Sequence, residues 1–281
     1  MTDLTVRTLN ALAKNISQDT VAALRGKLRG VVALPGEDGY DAARTIWNAM
    51  IDRRPGLVVR CLGAADVAHA VTFAREEKLL VAVRAGGHNI AGHAVCDGGL
   101  LIDLSLMKSV NVDPASETAR VEPGATLADF DKEAQAFGLA TPLGINSTTG
   151  VAGLTLGGGF GWTTRKFGLT VDSLIAADVV TADGRLVRAS AKEHPDLFWA
   201  LRGGGGSLGV VTATHIRLHD LLNVVSGMLV YPFSEAESVL RRYADLVPSM
   251  PDELTIQIGA VAGPDGVPVI LLVPTWSVFT G

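Results

Sequence analysis

The stretch Val81-Ala-Val-Arg-Ala-Gly-Gly-His-Asn-Ile-Ala-Gly-His-Ala-Val95 lies at the centre of the predicted fold. An apolar run typical of a buried strand ends at Arg84, and the pair Gly86-Gly87 then allows a tight turn that a ligand can approach closely. Successive backbone N–H groups in such a turn can bind an anion, and Arg84 adds a fixed positive charge. His88 follows the glycines directly. The stretch therefore predicts a phosphate-binding turn with a nucleophilic imidazole at its mouth.

The segments before this turn predict a strand–helix–strand unit. Residues 57–61 and 79–83 are short apolar runs, and residues 66–75 between them have helical spacing, with Asp66 near the helix start. Such a unit gives parallel strands joined by a crossover, and open α/β sheets bind ligands at the carboxyl ends of their strands. The predicted turn leaves that end of the second strand.

Periodicity predicts the remaining elements of the first two thirds of the chain. We expect two short helices within residues 3–30, the second capped by Thr20, and a further helix over residues 40–50. Thr126 and Asp129 predict a capped helix over residues 126–137. Alternating or turn-bounded runs predict strands, of which the first three are antiparallel and the next two form a hairpin: 100–104, 109–113, 118–122, 175–181, 185–189 and 208–218. A short helix over residues 194–201 precedes the last of these strands.

The last sixty residues predict a separate unit. They contain a strand over residues 224–231, a helix over 235–246 and a hairpin formed by 254–261 and 267–273. One helix and three strands leave apolar faces uncovered. This pattern is typical of half a domain.

Composition excludes several classes of function. The 281 residues are 48% hydrophobic and 5% aromatic with a net charge of −5, which argues against nucleic acid and anionic membranes as partners. No apolar run is long enough for a transmembrane helix. Cys61 and Cys96 are expected to be buried free thiols in a reducing cytoplasm. The histidines form no zinc motif, so no metal is expected.

Three glycine clusters, at residues 86–87, 157–159 and 203–206, lie in three separate strand-linked loops. Each cluster alone is most often a turn. The run Gly157-Gly-Gly-Phe-Gly161 is similar to a dinucleotide-binding loop, but it lacks the βαβ context, which disfavours a nicotinamide-dependent Rossmann enzyme. No GK[ST] sequence is present, which excludes a P-loop.

Four motifs together are more specific than any one of them. Arg84-Ala-Gly-Gly-His88, Gly150-Val-Ala-Gly153, Gly157-Gly-Gly-Phe-Gly161 and Asp196-Leu-Phe-Trp-Ala-Leu-Arg-Gly-Gly-Gly-Gly206 resemble, in order and spacing, the FAD-linked oxidases of the vanillyl-alcohol oxidase and berberine-bridge-enzyme-like family. The resemblance covers residues from about 40 to about 232. It implies an α+β fold: a two-subdomain PCMH-type FAD-binding domain followed by the first part of an antiparallel-sheet substrate domain.

The resemblance also implies a division of the chain. Residues 1–38 would be an N-terminal helical segment, residues 39–222 the FAD-binding domain, and residues 223–281 an incomplete start of the substrate domain. Family members are considerably longer, and the part beyond this length holds most of the substrate sheet and the expected catalytic base. We therefore expect a truncated product or a fragment, and no catalytic residue is assigned.

The cofactor residues implied by the resemblance fall into several groups. Arg84, Gly86 and Gly87 would form the pyrophosphate loop, and His88 would be bonded to the 8α-methyl group of FAD, since a neutral imidazole is a nucleophile. Beside the phosphates or the ribityl chain would lie Asn89, Gly92 and His93. Along the isoalloxazine and adenine would lie Thr149, Gly150, Gly153 and Gly159. Val210 or Val211 would contact the flavin from the last strand. His93 is equally well interpreted as an exposed loop residue, and Gly203–Gly206 as a bend.

Two positions depart from the family pattern. Some relatives attach the flavin a second time through a cysteine, and Asn146 occupies that position here, so the sequence predicts a covalent bond through His88 only. Leu154 stands where many relatives have histidine, which removes one polar group from the flavin pocket.

The function implied is hydride transfer from a C–H bond next to oxygen or nitrogen of a small-molecule substrate to flavin N5. Oxygen would then reoxidise the flavin. The alternatives are a truncated, non-catalytic flavin-binding remnant and, less favoured, a nicotinamide-dependent enzyme. Substrate identity, oligomeric state and the choice between oxidase and dehydrogenase are not predicted.

Overall fold

The computed structural model describes residues 3–221 and 223–278. Its first sheet has the strand order β3-β4-β6-β5, formed by Val31–Ala33, Leu57–Arg60, Leu100–Asp103 and Val81–Arg84. Helix α3, Ala64–Glu77, connects β4 to β5, and β6 is parallel to both. The predicted parallel strand–helix–strand unit is present, but β6 lies between its two strands.

The prediction of an antiparallel strand at residues 100–104 is wrong. Leu100, Leu101 and Ile102 are fully buried, as expected of a central parallel strand that is covered on both faces. Leu100 and Ile102 pack in one core and Leu101 in another. An uninterrupted apolar run, rather than alternation, was the relevant signal.

Residues 4–16 form strands instead of the predicted first helix. Strands β1 (Leu4–Arg7) and β2 (Ala13–Ile16) pair as an antiparallel hairpin. Leu9 and Leu12, which suggested helical spacing, lie in the turn and are 68% and 66% exposed. The predicted second helix is present as α1, Gln18–Lys27, but its cap is Ser17, whose side chain accepts a hydrogen bond from the Thr20 N–H.

The N-terminal segment packs on the first sheet. Val6, Ile16, Val21 and Leu24 share a hydrophobic core with the buried side chains of β4 and β6. Asp66, buried in the first turn of α3, accepts hydrogen bonds from the backbone N–H groups of Arg29, Gly30 and Leu62, at 2.9, 3.1 and 2.8 Å. This carboxylate therefore joins three segments, beyond its predicted interaction with the helix dipole.

Helix α2 is shorter than predicted, since it spans Tyr40–Arg44 rather than residues 40–50. Tyr40 and Ala43 are buried against the second face of the first sheet. The chain leaves the helix at Thr45, and residues 45–47 then run beside the turn that follows β5.

The second sheet is antiparallel, with the order β11-β10-β12-β8-β7. Its strands, together with the short strand β9 and the helices around them, are β7 Val110–Asp113, β8 Thr118–Val121, α4 Leu127–Gln135, β9 Leu139–Ala140, α5 Val151–Leu156, α6 Thr164–Phe167, β10 Leu174–Val180, β11 Leu186–Ser190, α7 Pro195–Gly204 and β12 Val210–Arg217. The predicted β10–β11 hairpin, the capping box of Thr126 and Asp129 on α4, and the single long strand β12 are confirmed. Gly203 and Gly205 have positive φ, so the glycine run forms a bend before β12.

The last unit is a four-stranded antiparallel sheet with helix α8. The short strand β13, His219–Asp220, precedes this unit and pairs with β9. The elements of the unit are β14 Asn223–Ser226, β15 Leu229–Pro232, α8 Ala236–Leu246, β16 Leu254–Ala262 and β17 Pro268–Val278. The predicted hairpin is confirmed as β16–β17. The single strand predicted over residues 224–231 is interrupted, although β14 and β15 pair with β17 in one register. Pro274 lies opposite the interruption and has no N–H to donate to the ladder.

The fold class is α+β, as expected from the resemblance. Cys61 and Cys96 are buried free thiols, also as predicted; burial raises the pKa of both, that of Cys96 to about 11. Among residues 3–221 and 223–278, no helix combines the length and apolar character needed to cross a bilayer.

Candidate functional site

Three charged side chains meet at the carboxyl ends of the parallel strands. Arg60 ends β4, Arg84 ends β5 and Asp103 ends β6, and the strand register sets both arginines opposite the aspartate. The fully buried carboxylate of Asp103 accepts from Arg60 Nε and Arg84 Nε, each at 3.1 Å. Two guanidinium groups share one carboxylate, so this triad carries one excess positive charge.

Arg84 holds the neighbouring segment in place. Its Nη1 donates to the carbonyl oxygen of Thr45 at 2.7 Å, and the N–H of Trp47 donates to the carbonyl oxygen of Gly87 at 3.1 Å. The sequence predicted that Arg84 offers its charge to an anion. In the structure the guanidinium is bound to Asp103 and Thr45, and its direct effect is to fix residues 45–47 against the glycine turn.

Gly86 and Gly150 bring two distant loops into backbone contact. A Cβ atom added at Gly86 would lie 2.5 Å from the amide nitrogen of Gly150. Side chains at either position would separate the loops, so glycine is required at both. Gly87, next in the turn, has φ +72°, a backbone conformation that favours glycine.

His88 lies where these loops meet. Its imidazole stacks on the indole of Trp47, with ring centroids 4.6 Å apart and an angle of 15° between the planes. Its Nε2 lies 3.2 Å from the Oγ1 of Thr148, a residue of the Gly150 loop. Burial lowers the pKa of His88, although a hydrogen bond with the Thr148 backbone opposes the shift. The imidazole is therefore held in its neutral, nucleophilic form at pH 7.

A cleft of about 400 Å³ opens beside His88. Its walls include Trp47, Ser105, Lys108, Thr126 and Thr148, which come from four separate segments. The side chain of Lys108 is 54% exposed, and its Nζ lies 3.9 Å from Asp129 Oδ2, so this lysine is paired with a carboxylate. Arg84 of the triad also lines the cleft, and the excess positive charge of the triad next to the glycine turn suits a ligand that carries phosphate groups.

Several residues of this site were missed in the sequence, among them Trp47, Lys108 and Thr148. Trp47 fell within the predicted helix 40–50, Lys108 stood in a turn, and Thr148 in a glycine- and threonine-rich segment without periodicity. Nothing in the local pattern distinguishes them, because their proximity to His88 depends on contacts between loops distant in sequence.

The other predicted glycines differ in what surrounds them. Gly92 and Gly159 have positive φ, and a Cβ there would meet Ile51 and Thr170, at 2.8 and 2.4 Å, so packing within the chain explains both. Gly153 lies exposed on α5, and a Cβ there would have no neighbour within 4 Å. No contact described within the chain requires glycine at this helical position, which leaves room for a group that approaches the helix closely.

The remaining predicted residues serve the loops or the core. Asn89 Oδ1 accepts from the N–H of His93 at 3.0 Å, which closes the turn after His88, and the His93 residue is exposed. The Thr149 N–H donates to the carbonyl oxygen of Asn146. Val210 and Val211 are buried in two different cores and do not line the cleft.

Comparison with known proteins identifies the family. An FAD-binding domain family matches residues 55–190. The (R)-6-hydroxynicotine oxidase of Paenarthrobacter nicotinovorans is 40% identical over 230 residues, which are 81% of this chain and 50% of that protein. The xylooligosaccharide oxidase of Thermothelomyces thermophilus is 32% identical over 225 residues, which are 75% of this chain and 44% of that protein. The chain carries the FAD-binding domain of the PCMH-type FAD-linked oxidoreductases.

A solved structure of an FAD-linked oxidase supports the assignment. The crystal structure of 6-hydroxy-D-nicotine oxidase from Arthrobacter nicotinovorans superimposes with a TM-score of 0.85 at 36% identity, and the match covers 90% of this chain and 56% of that one. The chain spans about half the length of the curated relatives it matches.

The described residues fit the cofactor of this family. The neutral imidazole of His88 and the unfilled space at Gly153 occur on segments of the family motifs, and Arg84 of the first motif belongs to the triad with the excess positive charge. Within the structure FAD would be held by the loops around Gly86, His88 and Gly150.

Proposed function

We propose that this chain is the FAD-binding part of an oxidoreductase in which FAD is attached through His88 alone. The observation that carries the proposal is the arrangement of His88, a neutral imidazole held by Trp47 and Thr148 beside the cleft. Family membership supplies the identity of the cofactor. Asn146 stands at the position where a second attachment would need a thiol, which supports a single tether.

Each residue of the site has a part in this proposal. His88 supplies the nucleophilic nitrogen, and burial keeps that nitrogen unprotonated. Trp47 restrains the plane of the imidazole. The Arg60–Asp103–Arg84 triad provides the positive charge that favours a pyrophosphate, and Gly153 leaves space for a planar ring.

Bound FAD would supply the redox chemistry, by accepting a hydride at N5 and passing the electrons to oxygen. The substrate class we propose is a small molecule with a C–H bond next to oxygen or nitrogen. Relatives named as a hydroxynicotine oxidase and a xylooligosaccharide oxidase support this breadth. The two buried thiols favour a reducing compartment, and we propose the cytoplasm.

Acid precipitation tests the covalent attachment. The purified protein should be yellow, and the colour should stay with the precipitated protein and appear in one peptide containing His88 by mass spectrometry. His88→Ala should abolish acid-stable colour. His69→Ala is the matched control, because His69 is exposed on α3 and should leave the colour unchanged. Colour that is released by acid from the wild-type protein, with His88 unmodified, would refute the attachment.

A flavin-binding chain without turnover is the second candidate, because the chain spans only about half the length of its relatives. Anaerobic mixing with a panel of alcohols, sugars and amines distinguishes the two. Bleaching of the flavin absorbance by any of them supports hydride transfer, and no bleaching by the whole panel supports binding alone.

A further inference from the structure

Asn146 and Thr148 form a directed hydrogen-bond chain that ends at His88. Asn146 Oδ1 accepts from the backbone N–H of Thr148 at 3.1 Å and from Thr148 Oγ1 at 2.8 Å. A backbone N–H can only donate, so the accepting atom of Asn146 is its amide oxygen and not its nitrogen. The orientation of the Asn146 amide follows from this contact.

The direction of the next hydrogen bond follows from the single proton of a hydroxyl group. Thr148 Oγ1 uses its only proton toward Asn146 Oδ1, which can accept but cannot donate. Toward His88 Nε2, 3.2 Å away, the same oxygen can therefore only accept. The donor in this contact is the imidazole, so Nε2 carries its hydrogen.

A neutral imidazole has one N–H, and its lone pair is on the other nitrogen. With the hydrogen on Nε2, the nucleophilic lone pair lies on Nδ1. Burial keeps the ring neutral at pH 7, and the stack on Trp47 restricts rotation of the ring out of this arrangement.

We propose that Asn146 and Thr148 are positioning residues that fix His88 as the Nε2–H tautomer and thereby make Nδ1 the nitrogen that bonds to the flavin. The second half of this statement rests on the proposed function, since it requires covalent attachment. The first half concerns the chain itself.

The attachment balances as an oxidation. A bond forms between Nδ1 and the 8α carbon, and one C–H bond of that methyl group breaks. One proton leaves from the methyl group and one from Nε2, which lies beside the exposed hydroxyl of Thr148. Two electrons pass to the flavin and from there to dioxygen, which becomes hydrogen peroxide.

The tautomer can be measured without any activity assay. Flavin-free protein, produced in a riboflavin-starved host with ¹⁵N-labelled histidine, gives long-range proton–nitrogen NMR spectra in which His88 is assigned by its loss in His88→Ala. We expect a pyridine-type Nδ1 and a pyrrole-type Nε2. In Thr148→Val the hydroxyl acceptor is lost, and the tautomer ratio should shift by about fivefold, the value of one neutral hydrogen bond.

Three variants separate positioning from structure. Thr148→Ser keeps the hydroxyl and should restore the wild-type spectrum. Asn146→Ala frees the Thr148 proton and should mix the tautomers as Thr148→Val does. Ser147→Ala changes the exposed residue between them and should have no effect.

The flavin-bearing protein provides the second readout. NMR of the purified flavin peptide should connect the 8α carbon to Nδ1 in the wild type. A wild-type His88 with its hydrogen on Nδ1, a tautomer ratio unchanged in Thr148→Val, or a bond at Nε2 would overturn the proposal. An Nε2–H histidine in a protein that attaches no flavin would support the tautomer assignment and refute the covalent attachment alone.

Discussion

Gly86 and Gly150 lie in direct backbone contact, although 63 residues separate them in the sequence. A Cβ at Gly150 would be 2.8 Å from both the amide nitrogen and the α carbon of Gly86, so the atoms in contact belong to the backbones of the two loops. Through this contact the first sheet, which carries His88, is joined to the loop that carries Thr148.

Substitution Gly86→Ala should destabilise the protein strongly. The new methyl group would meet backbone atoms on the opposite loop, which cannot rotate away as a side chain can. Overpacking of this kind costs about 3 kcal/mol of the free energy of unfolding. Urea unfolding followed by circular dichroism measures the change.

Gly26→Ala is the control for this prediction. Gly26 lies in helix α1, and a Cβ there would have no neighbour within 4 Å. Alanine is the better helix former, so this variant should gain up to about 1 kcal/mol. Equal stability of the Gly86→Ala and Gly26→Ala proteins would contradict the close contact.

Asp103→Asn should also destabilise the protein, for an electrostatic reason. Asp103 is fully buried and accepts hydrogen bonds from Arg60, Arg84 and both the N–H and hydroxyl of Ser105. The variant leaves two guanidinium groups without their carboxylate, and loss of a buried charged partner costs about 3 kcal/mol. Urea unfolding measures it, with Glu237→Gln as the control for an exposed helical ion pair.

Flavin attachment should weaken in the same Asp103→Asn variant. Arg84 links Asp103 to the carbonyl oxygen of Thr45, and residues 45–47 include the indole that stacks on His88. We expect less acid-stable flavin per mole of folded protein. A fully stable variant with unchanged flavin content would show that the triad supports neither the fold nor the site.

Local sequence patterns predicted the helices and strands of this protein better than they predicted which of these elements lie next to each other. The capping box of Thr126 and Asp129 and the β10–β11 hairpin depend on residues close in sequence, and both were found as predicted. The position of β6 between β4 and β5 was not predicted, because the strand order depends on the crossover through residues 85–99, and this segment has no periodicity. His88 was singled out by its glycines, whereas Trp47 and Thr148 reach it through loop contacts that no short pattern encodes.

The pKa of His88 predicts how attachment depends on pH. Burial lowers it below 6.5, its ordinary value, so the imidazole stays neutral throughout the neutral range. The rate at which flavin-free protein acquires acid-stable flavin should be constant above pH 6.5. The rate should fall only as the pH drops through the lowered pKa of His88 in the folded protein. NMR titration of His88 and the attachment rate should give the same midpoint, and a midpoint above 6.5 would contradict the burial of the ring.

Stability should change with pH in the same direction. The unfolded chain binds a proton to this histidine at a higher pH than the folded chain does, so stability is lost as the pH falls between the two pKa values and is complete above the unfolded one. His219, whose pKa is lowered by burial and by Arg217, adds to the same trend. The difference between wild type and His88→Gln isolates the contribution of His88. A wild-type protein that becomes more stable, relative to His88→Gln, as the solution is acidified would contradict the assignment.

Gly153→Ala separates the requirement of the cofactor from that of the fold. Gly153 lies within helix α5, is exposed, and has open space where a Cβ would stand, so alanine should stabilise the flavin-free protein by up to about 1 kcal/mol. If the space belongs to the flavin, the same methyl group should lower the flavin content of the purified protein, and Gly153→Leu should lower it further. Gly26→Ala, stabilised in the same way on a helix that does not line the cleft, should keep its full flavin content. If stability rises while flavin binding falls, glycine at position 153 serves the cofactor, because no steric contact within the chain requires glycine there. Unchanged flavin content in both Gly153 variants would show that the flavin does not approach α5.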